Sequence, residues 1–314
     1  KCAQMNELTT EDRQMMQGKI CLVTGASRGI GLHIALGLAS MGAFVVLTGH
    51  NQARGESASR YVNAFAAGDC SDFMLVDHSS QEQIHEFAEA FKQNYSHLDV
   101  LVNNAGGFFL KREESVDGIE MTFALNHLNY FMTTMLLLDS LLQGKAPRII
   151  NVASESHRGE FMRFSNLQLL GEYNALRAYG QSKLANLLFT YELSRRLLDT
   201  DVTVNALHPG FVNTHLGKQD NLVRPIMNMV HFLFGKSPKE GAETALYLAS
   251  SPEVRDVTGF YFIDKQPVRS SDESYDLEEA FRLWKISEEL CSLEVARVRP
   301  GYLKQLPTHL TKNW

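Results

Sequence analysis

Apolar residues gather in six short, nearly continuous runs, at positions 20–24, 44–48, 72–77, 100–103, 148–152 and 202–207. Runs this rich in Val, Ile, Leu and Phe, with little polar alternation, suit strands covered on both faces. Helical spacing fills the intervals, as at 30–41, 81–94 and 183–198. In the last of these Leu184, Leu187, Leu188, Tyr191 and Leu198 recur at helical spacing, with Arg195 and Arg196 away from them. A strand–helix alternation repeated six times predicts an α/β fold, a doubly wound parallel sheet with helices on both faces. A further short strand near 260–263, after Gly259, brings the count to about seven.

Two segments break this rhythm. Positions 215–236 mix Val223, Ile226, Met227, Met229, Val230, Phe232, Leu233 and Phe234 with few charges. Beyond Asp264 runs a tail with an acidic helical pattern over 275–290. No repeat, low-complexity tract or Pro/Gly-rich linker divides the chain. The expected organisation is a polar leader over 1–18, one α/β domain over 19–264 and an extension over 265–314.

Composition narrows the class. The chain has 314 residues, 44% apolar and 21% charged, as in an ordinary globular protein and unlike a disordered or collagen-like chain. Its 30 Lys and Arg against 36 Asp and Glu give a charge of −6, without the basic excess of a nucleic-acid binder. Cys2, Cys21, Cys70 and Cys291 form no Cys-x-x-Cys pair, which fits a reducing intracellular, cytoplasmic setting. No apolar run approaches the roughly 18 residues of a membrane span. The first residue is Lys1 rather than Met, which leaves a removed leader or anchor open.

The chemistry begins where the first strand runs into Thr24-Gly25-Ala26-Ser27-Arg28-Gly29-Ile30-Gly31 and then a helix. A strand, a glycine-rich turn and a helix start set backbone N–H groups and a positive helix end against a pyrophosphate. Read alone, three glycines in eight residues also describe a plain turn. A second constellation is Tyr179-Gly180-Gln181-Ser182-Lys183, which places Tyr and Lys one helical turn apart on one face. A nearby cation favours a phenolate and brings tyrosine toward useful acid–base chemistry. Such pairs also arise by chance. Its context is the run 148–152, which ends at Ala153-Ser154, so a hydroxyl lies at the carboxyl edge where open α/β sheets bind ligands.

Together these residues resemble the short-chain dehydrogenase/reductase family. Thr24 with Gly25, Gly29 and Gly31 is similar to its Thr-Gly-x-x-x-Gly-x-Gly loop, and Asn103-Asn104-Ala105-Gly106 to its Asn-Asn-Ala-Gly element. Ser154, Tyr179 and Lys183 resemble its catalytic triad, with Asn126 in Leu125-Asn126-His127 as the fourth member. His208-Pro209-Gly210, followed by Val212 and Thr214, is similar to Pro-Gly-x-Val-x-Thr. The resemblance spans about 18–263 and implies a Rossmann-type fold and a hydride-transfer oxidoreductase. It implies that Tyr179 exchanges a proton with the substrate oxygen and that Ser154 hydrogen-bonds that oxygen. Lys183 would hold the nicotinamide ribose, and Asn126 a water that relays protons from Lys183. The dinucleotide would lie along Gly25, Ser27, Arg28, Gly29, Ile30 and Gly31, then Asp77 at the adenine, Asn103, Ala105 and Gly106, with Pro209, Gly210, Val212 and Thr214 at the nicotinamide. His78 stands after Asp77 where the family usually has Leu. Ser156 rivals Ser154 for the serine role; Tyr173 and Tyr191 lack Lys at i+4.

Cofactor choice is argued from charge. The turn after the second run, Thr48-Gly49-His50-Asn51, carries no carboxylate to receive a ribose 2′-OH, and Arg28 lies in the phosphate loop. Both favour NADP(H) over NAD(H), with His50 and Asn51 as contacts. No histidine spacing fits a metal, and none is expected.

The stretch Tyr179 to Leu188, and the 25-residue separation of Ser154 and Tyr179, resemble retinol-dehydrogenase-like members. The expected substrate is a carbonyl or alcohol on a fairly large apolar molecule: retinoid-, steroid-, lipid- or polyketide-like. Segment 215–236 lies where the family carries a substrate lid, and Met227 and Met229 would give it a deformable wall. A core-packed helix, a dimer contact or a membrane-surface role are its other readings. A homodimer or tetramer is the family's habit. The rival classes are a dinucleotide-binding sensor without chemistry and an interaction protein built on the acidic tail.

Overall fold

The computed structural model describes residues 14–210 and 236–293. Why the apolar runs become strands is visible in β1 (Ile20–Val23). Leu22 enters one core with Leu101 and Ile149, while Cys21 and Val23 enter the other with Val45 and Val102. Alternate side chains point to opposite faces. A strand covered on both sides therefore needs apolar residues at every position.

Eight strands make one sheet in the order β3-β2-β1-β4-β5-β6-β7-β8. They are β1, β2 (Phe44–Gly49), β3 (Ser71–Leu75), β4 (Val100–Asn103), β5 (Arg148–Val152), β6 (Thr203–His208), β7 (Tyr261–Ile263) and β8 (Gln266–Pro267). Pairing is parallel from β3 to β7, with Leu22 opposite both Val46 and Leu101. β8 turns back antiparallel on β7, a strand beyond the seven expected. The order reverses between β1 and β4, which opens a crevice at their carboxyl ends.

One face carries α3 (Gln81–Asn94), α5 (Asn129–Leu136), α7 (Ala175–Arg196) and α9 (Leu277–Leu290). Ile84, Phe91, Phe131, Leu188 and Trp284 from these helices share one core. The other face carries α1 (Gly29–Ser40), α2 (Gln52–Ala66) and α8 (Pro238–Ser250), which bring in Ile34, Leu38, Val62, Ala245 and Leu248. Each Val, Leu, Ile or Phe side chain among these contributes about 1.5–3 kcal/mol when fully buried. The remaining helices are α4 (Met121–Phe123), joined to α5 by a π-helical turn over Ala124–Leu128, and α6 (Leu138–Leu142).

Polar punctuation sets the helix starts. Asn51, Ser80, Asn174 and Asp276 accept backbone N–H groups at the starts of α2, α3, α7 and α9, and Ser237 and Glu240 form a capping box before α8.

Several expected bounds shift. β3 ends at Leu75, not at Asp77, because Asp77 turns its carboxylate back to the Ser79 N–H and hydroxyl. The helical pattern over 183–198 belongs to a helix that starts at Ala175, since Asn174 caps it about two turns earlier. The polar leader is not wholly outside the fold: Met16 is buried, and its N–H donates to Met41 O at 2.8 Å. The extension likewise packs into the sheet's core through α9. The expected lid over 215–236, Lys236 apart, lies outside the described residues, as do Val212 and Thr214.

Candidate active site

The loops leaving β1 and β4 are tied together across the crevice. Thr24 is fully buried, and its hydroxyl accepts the N–H groups of Asn104 and Ala105, each at 2.9 Å. Its carbonyl accepts the Asn104 side-chain amide at 2.8 Å. Glycine is required at two points here. Gly25 has φ +66° and a Cβ would stand 2.8 Å from Ala105 Cα; at Gly31 it would stand 2.6 Å from Asn104 Nδ2. The loop Ser27–Arg28 then delivers α1, whose start at Gly29-Ile30 has neither a side-chain cap nor an acidic residue in its first turn. Its leading N–H groups and positive end face the crevice edge, which is the donor set an anionic pyrophosphate requires.

Beside this loop lies the end of β2. A Cβ on Gly49 would sit 3.4 Å from the Ser27 hydroxyl, so the two turns are in contact. His50 is exposed, and the Arg54 guanidinium donates to its Nε2 at 3.3 Å. Asn51 is occupied as a helix cap, accepting the Arg54 N–H at 3.0 Å. Arg28, also exposed, follows Ser27 in the adjoining turn, and no carboxylate lies between positions 48 and 54. Arg54 lies outside the residues that the sequence motifs mark. Its signal was position: four residues after His50 and three after a capping Asn.

The other cofactor-side positions separate. Ala105 is buried; at Gly106 a Cβ would come within 2.9 Å of Asn126 Oδ1. Asn103 turns inward, its amide donating to Thr134 Oγ1 at 3.0 Å and Asn151 Oδ1 at 2.9 Å. Its side chain ties β4 to β5 and α5. Asp77 sits half-buried beyond β3. The unusual His78 is buried, with Nε2 2.7 Å from Thr48 Oγ1, and burial pushes its imidazole down to about 4. His208 is similarly buried and lowered to about 4, and Pro209-Gly210 follow it, with Gly210 at φ +84°.

At the carboxyl end of β5, Ser154, Tyr179 and Lys183 converge. Ser154 is extended (φ −164°), and its hydroxyl accepts the Ser156 N–H at 3.2 Å and donates to Ser156 Oγ at 3.1 Å. The rival serine is therefore its hydrogen-bond partner. One turn apart on α7, Tyr179 and Lys183 face the same edge: Lys183 Nζ is 5.5 Å from the Tyr179 ring and 5.6 Å from the Tyr130 ring. Lys183 is 4% exposed, and Nζ donates to Val152 O at 2.9 Å. Burial lowers its amine to about 7. Burial also raises the Tyr179 phenol to about 12, opposed by its hydrogen bond with Ser154. The rival tyrosines are engaged elsewhere: Tyr173 donates to Phe109 O at 2.7 Å, and Tyr191 bonds Ser270 and stacks on Tyr275.

Asn126 lies in the π-helical turn, fully buried. Its Oδ1 accepts the Gly107 N–H at 2.7 Å, and its Nδ2 donates to Gly107 O and Ser182 Oγ, both at 3.0 Å. Ser182 in turn donates to Tyr179 O at 2.7 Å. One amide thus joins the loop after β4 to the helix of Tyr179 and Lys183. Among the described residues no group of His, Cys, Asp and Glu could hold a metal ion, and no helix is long and apolar enough to cross a membrane.

Comparison with known proteins shows the family. The profile of the short chain dehydrogenase family matches residues 19–224. Retinol dehydrogenase 14 of Mus musculus is 42% identical over 291 residues, covering 88% of this chain and 87% of its own. Among solved structures, an uncharacterized protein from Mycobacterium Paratuberculosis superposes with TM-score 0.73 at 30% identity, over 89% of this chain and 95% of its own. A short chain dehydrogenase from Burkholderia cenocepacia, solved in complex with NADP, gives TM-score 0.64 at 25% identity over 79% and 96%. Sheet order, phosphate loop and sequence match converge: the chain belongs to the short-chain dehydrogenase/reductase family of oxidoreductases, among its retinol-dehydrogenase-like members.

Proposed function

We propose that this chain is an NADP(H)-dependent dehydrogenase/reductase that moves a hydride between the nicotinamide and a carbonyl or alcohol carbon of a fairly large apolar substrate. The observation that carries the reading is the convergence of Ser154, Tyr179 and Lys183 at the edge of β5, beside an uncapped helix start.

The residues fit a dinucleotide. The α1 start and the glycine cradle suit its pyrophosphate, and Lys183 suits its nicotinamide ribose. When bound, the reduced nicotinamide supplies the hydride. With its pKa raised to about 12, the Tyr179 phenol is protonated at neutral pH, the form that donates a proton to the nascent alkoxide. Ser154 holds that oxygen through its hydroxyl. Lys183, its amine lowered to about 7, stands ready to carry positive charge beside the phenolate that forms. Asn126 keeps the turn, the loop and α7 in register and is the proposed water holder. The remaining cofactor contacts are Ser27, Asp77, Pro209 and Gly210, with Val212 and Thr214 after them.

NADP(H) is preferred because Arg28 and Arg54 offer positive charge around the turn after β2, where no carboxylate stands to repel a 2′-phosphate. The substrate class rests on the retinol dehydrogenase relatives and on Phe108, which packs edge-on to Tyr179 at 5.6 Å. The test is NADPH oxidation, followed by absorbance, against a panel of ketones, aldehydes and quinones that includes retinaldehyde. The wild type turns over the large apolar carbonyls, and Tyr179→Phe abolishes that turnover. Unchanged rates in Tyr179→Phe would sink the mechanism.

A further inference from the structure

His157, three residues after Ser154, is fully buried at the end of the short 3-10 turn Glu155–His157. Its Nδ1 lies 2.6 Å from Ser154 O, and its Nε2 receives the Ser271 N–H at 3.1 Å. A backbone N–H can only donate, so Nε2 carries no proton. The neutral ring therefore keeps its proton on Nδ1, which donates to a carbonyl that can only accept. Both bonds demand the same tautomer. Ser154 O also accepts the His157 N–H at 3.2 Å, so two donors from one residue fix the carbonyl of the serine that faces the substrate oxygen.

The surroundings hold this ring on every side. Tyr261 of β7 packs edge-on to it at 5.3 Å and donates its hydroxyl to Glu155 Oε1 at 2.9 Å. Arg158 pairs with Glu155 at 2.9 Å and reaches across to donate to Arg269 O at 2.7 Å. Arg269 and Ser271 belong to the segment beyond β8, outside the sheet that forms the cofactor crevice.

Taking Ser154 as the oxygen-binding serine, we infer that His157 is a positioning residue through which the segment 268–275 sets the orientation of Ser154. The imidazole acts as a rigid spacer. On one side it is fixed by a backbone N–H of the C-terminal segment; on the other it fixes the serine's peptide and, through it, the direction of the hydroxyl. A displacement of about 1 Å at a reacting group lowers rate by about a hundredfold, so a spacer of this kind acts on kcat and spares cofactor binding.

Two substitutions divide the ring's two bonds. His157→Asn puts an amide nitrogen where Nδ1 stands, keeping the donor to Ser154 O and losing the acceptor for Ser271. His157→Gln does the reverse, keeping an acceptor where Nε2 stands and releasing Ser154 O. A third, Ser271→Pro, removes that N–H at a residue whose φ of −69° proline adopts. With NADPH and the most active carbonyl of the panel, His157→Gln is expected to lower kcat about 10- to 100-fold with KM for NADPH within about twofold. His157→Asn and Ser271→Pro, which both keep the donor to Ser154 O and lose the tie to the segment, should match each other and fall between wild type and His157→Gln. Equal kcat per folded molecule in wild type and His157→Gln would overturn the inference, whatever happens to the melting temperature. Nitrogen-15 NMR of the histidines in the full chain gives a readout that needs no substrate. A neutral His157 with its proton on Nδ1 is expected, and an Nε2–H form at neutral pH would overturn the clamp. If the wild type reduces no carbonyl, the functional reading fails, and the NMR result still decides the role of the ring.

Discussion

At the scale of single residues, the site runs on groups whose charge the fold opposes. Lys183 is an amine held near 7 by burial against an ordinary value of 10.5. Because its folded pKa is depressed, the folded state binds fewer protons than the unfolded chain between pH 7 and 10.5, and stability rises with pH through that window. Below pH 7 the full cost of the buried ammonium is present. Lys183→Met removes this titration, so the melting temperature of the cofactor-free variant relative to wild type should be highest at pH 7 and below. That advantage should shrink steadily toward pH 10; a difference constant with pH would show that burial does not depress this amine. Arg54 carries a second expectation. A charge-assisted bond to phosphate is worth about 1.5–3 kcal/mol, so Arg54→Ala should raise KM for NADPH about 10- to 100-fold and leave KM for NADH within about twofold. Equal changes for both cofactors would remove Arg54 from the 2′-phosphate site. Tyr179, Lys183 and Ser154 were legible because an i, i+4 pair and a hydroxyl at a strand end have spacings that the local geometry enforces. Arg54 and His157 were not, since their meaning lies in partners supplied by the fold: a turn brought beside Ser27, and an N–H 114 positions away.

At the scale of elements, buried parallel strands announce themselves and helix starts do so only when the cap is weighed. The run 148–152 is β5 to the residue, because every side chain in it is buried. The start of α7 lies ahead of the apolar pattern at 183–198, set by Asn174, whose side chain accepts the Arg177 N–H at 3.1 Å. The π-helical turn around Asn126 had no signature in the apolar pattern, which it shifts by one residue only. The acidic pattern beyond Asp264 did mark a helix, but not what that helix does. Trp284 of α9 is 2% exposed, stands T-shaped to Phe131 at 5.1 Å, and stacks under the Arg196 guanidinium at 3.9 Å. A turn further on, Ser287 Oγ lies 3.0 Å from His127 Nε2, in the same π-helical turn as Asn126. The extension is thus a structural wall of the catalytic half. Trp284→Ala should cost about 3–5 kcal/mol in urea denaturation; a loss below about 1 kcal/mol would mean that α9 is dispensable to the core.

At the scale of the molecule, the two ends of the sheet do different work. The carboxyl ends of β1, β4 and β5 hold the phosphate loop, the Asn-Asn-Ala-Gly element and Ser154, while their amino ends converge on Asp99. That carboxylate is 1% exposed. One oxygen accepts Lys19 Nζ at 3.1 Å and the Lys145 N–H at 2.7 Å; the other accepts the Ile20 N–H at 2.9 Å and meets His97 Nε2 at 3.1 Å. It joins the approach to β1, the entry to β4 and the turn before β5. Such a clamp adds to the ladder bonds in aligning strands that enter from separate crossovers. Asp99→Ala would leave two backbone N–H groups without their acceptor, at about 1–3 kcal/mol each. The expected outcome is a loss of about 2–6 kcal/mol in denaturant unfolding. Because the sheet separates Asp99 from the crevice, kcat and both KM values of the folded fraction should stay within about twofold. A tenfold fall in kcat at full folding would show that the amino edge sets the geometry of the catalytic edge, and that the two ends of this sheet are one device rather than two.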